Sequence, residues 1–139
     1  MNDEDFTREM IRTFETGATK SSNKDKLDYE GFLSPLVLRR FAEYMHRHRV
    51  QADGTLRDSD NWQQGIPRKE YMKSMWRHFM EVWSLHRNVN TYGHGYGLCD
   101  VTDALEDALC ALLFNVMGYL HEILHRKEVG NQCLMQKTQ

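Results

Sequence analysis

Apolar positions recur at helical spacing in four stretches of this chain, and each stretch predicts a helix. Phe6, Met10, Ile11 and Phe14 suggest a short one over Asp3–Phe14, ending near Gly17. Ser34–Pro35 is a start signal, a capping residue followed by proline at the first helical position. The helix it opens is expected over residues 35–49, with Val37, Leu38, Phe41, Ala42, Tyr44 and Met45 inward. A third helix is expected over residues 67–87, where Tyr71, Met72, Met75, Trp76, Phe79, Val82 and Trp83 share one wide arc. The fourth, residues 100–125, opens with Asp100, Asp103, Glu106 and Asp107 and then turns apolar from Ala108 to Leu120 with no polar face. A helix apolar all round is buried all round, so this one is expected at the centre of a bundle, its acidic end inside the packing or at the floor of a cleft. No stretch alternates long enough for a half-buried strand. The expected class is all-α, a helical bundle without a sheet.

The connections divide the chain further. Thr16–Lys26 is small, polar and basic, which fits a flexible linker or a phosphate-contacting loop using Lys20, Lys24 or Lys26. Val50–Ile66 is a long loop with turn formers at Asp53–Gly54, and Trp62 within it reads as an anchor or as a base-stacking residue. Asn88–Leu98, with three glycines in five residues, is a hinge between the third and fourth helices. We expect one domain over residues 1–139, with an N-terminal helix and loop over 1–25 and a frayed tail over 126–139.

Charge and cysteine usage narrow the class. Eighteen basic residues against twenty acidic ones, a net charge of -2, leave no nucleic-acid footprint. Cys99, Cys110 and Cys133 have no paired spacing and MNDEDFTREM has no apolar signal run, so a cytoplasmic setting is expected. The fourth helix, acidic at one end and carrying His121, Glu122 and His125 at the other, reads as a poor membrane span. Three main helices are few to enclose it. A homo-oligomer, dimer or tetramer, is therefore expected to supply a wall.

The candidate chemistry lies at the acidic end. Asp103, Glu106 and Asp107 fall on one side of a helix, where like charges repel unless a cation or a basic partner sits between them. The dipole of the first turn is the alternative reason for acidic residues there. His78 and Glu81, three apart on the preceding helix, meet them only if the two helices pack in a favourable register. Such carboxylates suit Mg²⁺ or Mn²⁺, hard cations that keep waters for substrate phosphates. Arg39, Arg40, Glu43 and Arg47 share the outer arc of helix 35–49, a solvated face or a surface for an acidic cleft or a triphosphate.

Four blocks in order, TGATKSSNKDKLDYEGFLSPLVLRRFAEYM, DNWQQGIP, WRHFMEVW and DALEDALCALLFNVMGYLHE, resemble the N-terminal domain family of phage dATP/dGTP diphosphohydrolases, a MazG-like all-α branch of nucleotide pyrophosphohydrolases. The resemblance spans roughly residues 14–125. It implies an E-x-x-E helix and an E-x-x-D helix holding Mg²⁺, matched here by His78 and Glu81 and by Asp103 and Glu106. His78 stands where that pattern has a carboxylate, the second pair is D-x-x-E, and Asp107 offers a competing register. The implied activity is hydrolysis of dATP or dGTP to monophosphate and pyrophosphate in the cytoplasm, that of the host if the chain is phage-encoded. In that activity Glu81, Asp103, Glu106 and Asp107 would hold Mg²⁺ or Mn²⁺, and His78 would orient a water or act as an outer ligand. Lys20 or Lys26 would steady pyrophosphate, and Asn61, Trp62 and Tyr96 would contact the nucleotide. The alternative is a non-catalytic helical phage protein that binds a host or phage protein through Trp76, Trp83 and the methionine-rich arc.

Overall fold

The structure, a computed structural model, describes residues 11–21, 26–87 and 100–137. The described chain is mostly helical, with one two-stranded hairpin. It divides into two compact units, Met1–Leu38 and Arg39–Gln139.

In the first unit, β1 (Ile11–Thr13) pairs antiparallel with β2 (Thr19–Ser21), Arg12 opposite Lys20. This corrects the N-terminal helix for its described part and the expectation of no sheet; residues 1–10 lie outside the described residues. The cause is local. β-Branched Ile11, Thr13 and Thr19 favour extended backbone, and Gly17 at φ 81 allows the chain to reverse. The turn closes through Phe14 N–H to the Ala18 carbonyl at 2.8 Å. A four-residue helix follows, α1 (Tyr29–Phe32), capped by Asp28 Oδ1, which accepts from Gly31 N–H at 2.9 Å. Then α2 (Pro35–Arg47) begins where Ser34–Pro35 predicts, the Ser34 hydroxyl accepting from Val37 N–H at 3.3 Å.

In the second unit, the loop after α2 is ordered. Val50 bridges Leu56, Asp53 accepts from both the N–H and hydroxyl of Thr55, and Arg49 Nε donates to the Arg57 carbonyl at 2.7 Å. A 3₁₀ turn, Asn61–Gln64, leads through Gly65 and Pro67 into α3 (Arg68–His86), with Pro67 one residue ahead of the helix. The long α4 (Asp100–Lys137) packs against α3. It stays helical to Lys137, within the segment expected to fray.

The packing of α4 departs from the expectation of a helix buried all round. Its buried positions are Ala108, Cys110, Ala111, Asn115 and Gly118, while Leu109, Leu113, Val116, Leu120 and Leu124 are exposed. Small residues line the seam because they let another helix come close. Tyr71 of α3 is buried against Gly118 so tightly that a Cβ there would sit 2.3 Å from the ring. Asn115 satisfies itself, its amide donating to the Ala111 carbonyl at 2.8 Å. By length and composition, Thr102–Cys133 is apolar enough to cross a membrane, a test that core helices of soluble proteins also pass.

Candidate functional site

Arg40 and Arg47 stand seven residues apart on α2, two turns along one stripe, and both reach the acidic start of α4. Arg40 Nε donates to Glu106 Oε2 at 2.7 Å and its Nη2 to Asp107 Oδ1 at 2.5 Å. Arg47 Nη2 donates to the same Asp107 oxygen at 2.7 Å. One guanidinium thus bridges two carboxylates, and one carboxylate holds two guanidiniums. Burial alone would raise the Asp107 carboxyl, but the hydrogen bonds from Arg40 and Arg47 outweigh it and hold it below the usual carboxylate range. Arg40 is held more firmly protonated by Asp107 first and Glu106 second. The repulsion among the acidic residues is therefore met by arginine. Sequence spacing left a metal cation or a basic partner open; the arginine stripe was visible as the outer arc of α2, without a signal for what it faced.

The pair on α3 bonds within itself and does not line the cleft that Asp103, Glu106 and Asp107 share. His78 Nδ1 lies 3.3 Å from Glu81 Oε2. Burial, then the charges of Asp107 and Glu81 among others, raises the Tyr44 phenol, so Tyr44 of α2 senses carboxylates from both α3 and α4. The Cys110 thiol, one turn beyond Asp107, is pushed up by its burial. An open cleft of about 800 Å³ is lined by Arg40, Glu43, Arg47, Asp103, Glu106 and Asp107, together with Arg39, Ala42 and His46.

A divalent ion needs carboxylate oxygens free to turn towards one point. Here Glu106 and Asp107 direct theirs to guanidinium groups. Among the described residues no group of three or more His, Cys, Asp or Glu side chains is placed to hold a metal ion. As arranged, the donor set does not fit Mg²⁺ or Mn²⁺.

A second space adjoins this cleft across α2, sharing Ala42 and His46 with it. This cavity, about 360 Å³, has apolar walls of Met45, Trp62, Ile66 and Phe114 and a polar rim that includes Arg49, Arg57, Ser59 and Asn61. Trp62 is held edge-on by Phe114 at 6.2 Å and His121 at 4.8 Å, ring centre to ring centre. His121 in turn stacks on His125 at 5.7 Å. Glu122, which the sequence marks only as part of a polar helix end, accepts from Ile66 N–H at 3.2 Å and ties the loop to α4.

Of the residues singled out from sequence, Asn61 and Trp62 line this cavity, and Asp103, Glu106 and Asp107 line the cleft beside it. Lys20 sits on β2 and Lys26 ahead of α1, both exposed and both in the first unit. Tyr96 lies outside the described residues. Spacing gave no warning of Arg49, Arg57, His46 or Phe114 as cavity residues. Arg49 and Arg57 come from the loop, where no periodicity operates, and meet His46 of α2 and Phe114 of α4 only through the fold. The chain matches no family model, no curated protein and no solved structure with which it was compared.

Proposed function

We propose that this chain is a MazG-like nucleotide pyrophosphohydrolase that binds a purine deoxynucleoside triphosphate and cleaves it between the α and β phosphates, releasing monophosphate and pyrophosphate. The observation that supports it is the adjacency of two spaces: a cavity walled by Trp62 and Phe114, and a cleft holding Arg40, Arg47 and four carboxylates. A flat base gains most by stacking on an aromatic wall, with the Asn61 amide at its polar edge. Phosphates favour guanidinium groups, which grip them through two parallel hydrogen bonds. Arg49 and Arg57 stand at the rim of the base cavity, Arg40 and Arg47 in the next compartment.

Arg40 and Arg47 are engaged with carboxylates, and this bears on the chemistry. A triphosphate competes with Glu106 and Asp107 for the same guanidiniums, and a carboxylate so released is a base able to orient an attacking water. Arginine beside the anhydride stabilises charge as pyrophosphate departs. Mg²⁺ or Mn²⁺ would accompany the triphosphate as its counter-ion in solution, since Glu106 and Asp107 as arranged are held by guanidinium groups.

The test is incubation of the pure chain with each of the four deoxynucleoside triphosphates and Mg²⁺ or Mn²⁺, with products separated by ion-exchange chromatography. Monophosphate and pyrophosphate from dATP or dGTP, lost in Arg40→Met and reduced in Trp62→Ala, is the expected result. Intact nucleotides throughout would remove the catalytic reading. The exposure of Met72, Trp76 and Trp83 favours a second reading, a non-catalytic helical protein docking a protein partner. That reading requires turnover to be absent.

A further inference from the structure

The polar rim of the cavity beside Trp62 carries a pattern of donors and acceptors that tells one purine from the other. Two of its donors are fixed by the loop itself. Arg57 N–H donates to the Arg49 carbonyl at 2.8 Å and Arg49 Nε donates to the Arg57 carbonyl at 2.7 Å, so two arginines that line the cavity are held side by side. Their remaining guanidinium N–H groups donate and never accept. Asn61 has an oxygen as well, but Gln64 Nε2 donates to that oxygen at 3.4 Å, which leaves the amide N–H groups of Asn61 for a ligand. Against these donors stands one carboxylate. Asp58 is the only acidic residue lining the cavity among the described residues. It is exposed, and it holds the local turn through its backbone carbonyl, which accepts from Asn61 N–H at 3.2 Å. Its two carboxylate oxygens are acceptors only.

We infer that Asp58 makes this cavity selective for guanine over adenine, an inference that rests on the cavity being the base site of the proposed activity. Guanine presents O6 and N7 side by side as acceptors, and N1–H and the N2 amino group side by side as donors. Guanidinium or amide donors match the first pair, and a carboxylate takes the second with one oxygen for each N–H. Adenine breaks both matches. Its N6 amino group is a donor where guanine has O6, and its N1 is an acceptor that would meet the carboxylate lone pair against lone pair. Such a base gives up water without gaining a bond. An amide that reads adenine must accept from N6 while it donates to N7, and the Asn61 oxygen is already taken by Gln64. Stacking does not choose, because Trp62 and Phe114 offer an aromatic wall to the face of either purine. The choice falls to the rim, and within the rim to Asp58.

Monophosphates have no anhydride to cleave, so calorimetric titration of the full chain with dGMP, dAMP and the xanthine nucleotide dXMP reads the base apart from turnover. The unaltered chain is expected to bind dGMP about tenfold or more tightly than dAMP, as a bidentate pair provides. Asp58→Asn is expected to bring dGMP and dAMP to within about threefold of each other and to gain dXMP. In that variant the new amide N–H confronts the N2 amino group of guanine, whereas in xanthine it meets O2 while the amide oxygen accepts from N1–H. A gained ligand cannot arise from misfolding. Equal binding of dGMP and dAMP by the unaltered chain overturns the inference and leaves the hydrolytic reading standing. A guanine preference that survives Asp58→Asn overturns the role of Asp58. Binding of none of the three overturns the inference together with the base cavity it rests on. A guanine preference in a chain that turns over no triphosphate supports the inference and removes only the catalysis.

Discussion

The two sides of α4 invert the usual relation between size and burial. Its inward side is Ala108, Ala111, Asn115 and Gly118, and its outward side is Leu109, Leu113, Val116, Leu120 and Leu124. A fully buried leucine contributes about 1.5–3 kcal/mol relative to an exposed one, so a chain folding alone would turn that side inward. The inward side gains by proximity. With no side chain at Gly118, the Tyr71 ring lies directly on the helix backbone and also meets Phe114 edge-on at 6.0 Å. The contrast teaches that this helix has two packing tasks, a close one inside the chain and a bulky one left for another surface.

The inward side should be the more sensitive to a single methyl group. Gly118→Ala improves helix propensity by about 1 kcal/mol, yet its Cβ would fall 2.3–2.7 Å from two ring carbons and the hydroxyl oxygen of Tyr71. That ring is buried and cannot swing aside without parting α3 from α4. We expect a net loss of about 1–3 kcal/mol in urea denaturation, as overpacking typically costs. An unchanged midpoint would mean that α3 and α4 do not approach this closely.

The polar end should respond less, because it is partly solvated. Arg40→Met leaves Asp107 with Arg47 alone and Glu106 without Arg40, but the two carboxylates are 40% and 46% exposed, so the loss near neutral pH is about 1 kcal/mol after screening. The pH dependence gives the sign. Asp107 titrates lower in the folded chain than its unfolded value of about 3.9, so its contribution is present above that pH and is lost as pH falls through the depressed folded value. The gap between the unaltered chain and Arg40→Met should therefore close below about pH 4. A gap that persists at pH 2 would assign the loss to packing of the arginine stem.

The sequence made some of this readable. Ser34–Pro35 marks the start of α2 because capping chemistry is local, and Asp53–Gly54 marks a turn for the same reason. The acidic run predicts a counter-charge, which Arg40 and Arg47 supply, yet the identity of that charge depends on how α2 meets α4. Residues Ala108–Leu120 read as buried all round because apolar residues occur at every angle; counting them cannot say which side meets a neighbour. Helical spacing at Phe6, Met10, Ile11 and Phe14 extended a helix into Ile11–Thr13, where the pairing with Thr19–Ser21 prevails. The partner strand supplies hydrogen bonds that spacing within one segment does not register. Trp62 announced an anchor, but its companions Arg49, Arg57 and Phe114 come from separate elements.

The smallest effect we expect is a gain, and it isolates one atom of the inward side. The Tyr71 hydroxyl is buried with no hydrogen-bond partner among the described residues. Such a group loses its water without compensation, which costs about 1–3 kcal/mol, whereas the phenylalanine that replaces it leaves only a small void. Tyr71→Phe should therefore stabilise the chain by about 0.5–1 kcal/mol at neutral pH. Alkali should widen the difference. Burial first, then the nearby charge of Glu122, raises the Tyr71 phenol, so the unfolded chain releases this proton before the folded one does. The folded state then binds more protons than the unfolded, and stability falls as pH climbs from about 10. Tyr44 titrates in the same direction and is common to both proteins, so the difference between them reports Tyr71 alone. Urea midpoints measured at pH 7 and pH 10.5 test both parts. A loss of stability in Tyr71→Phe at pH 7 would mean that the hydroxyl is hydrogen-bonded, and a constant difference at the two pH values would mean that its proton is not held by the fold.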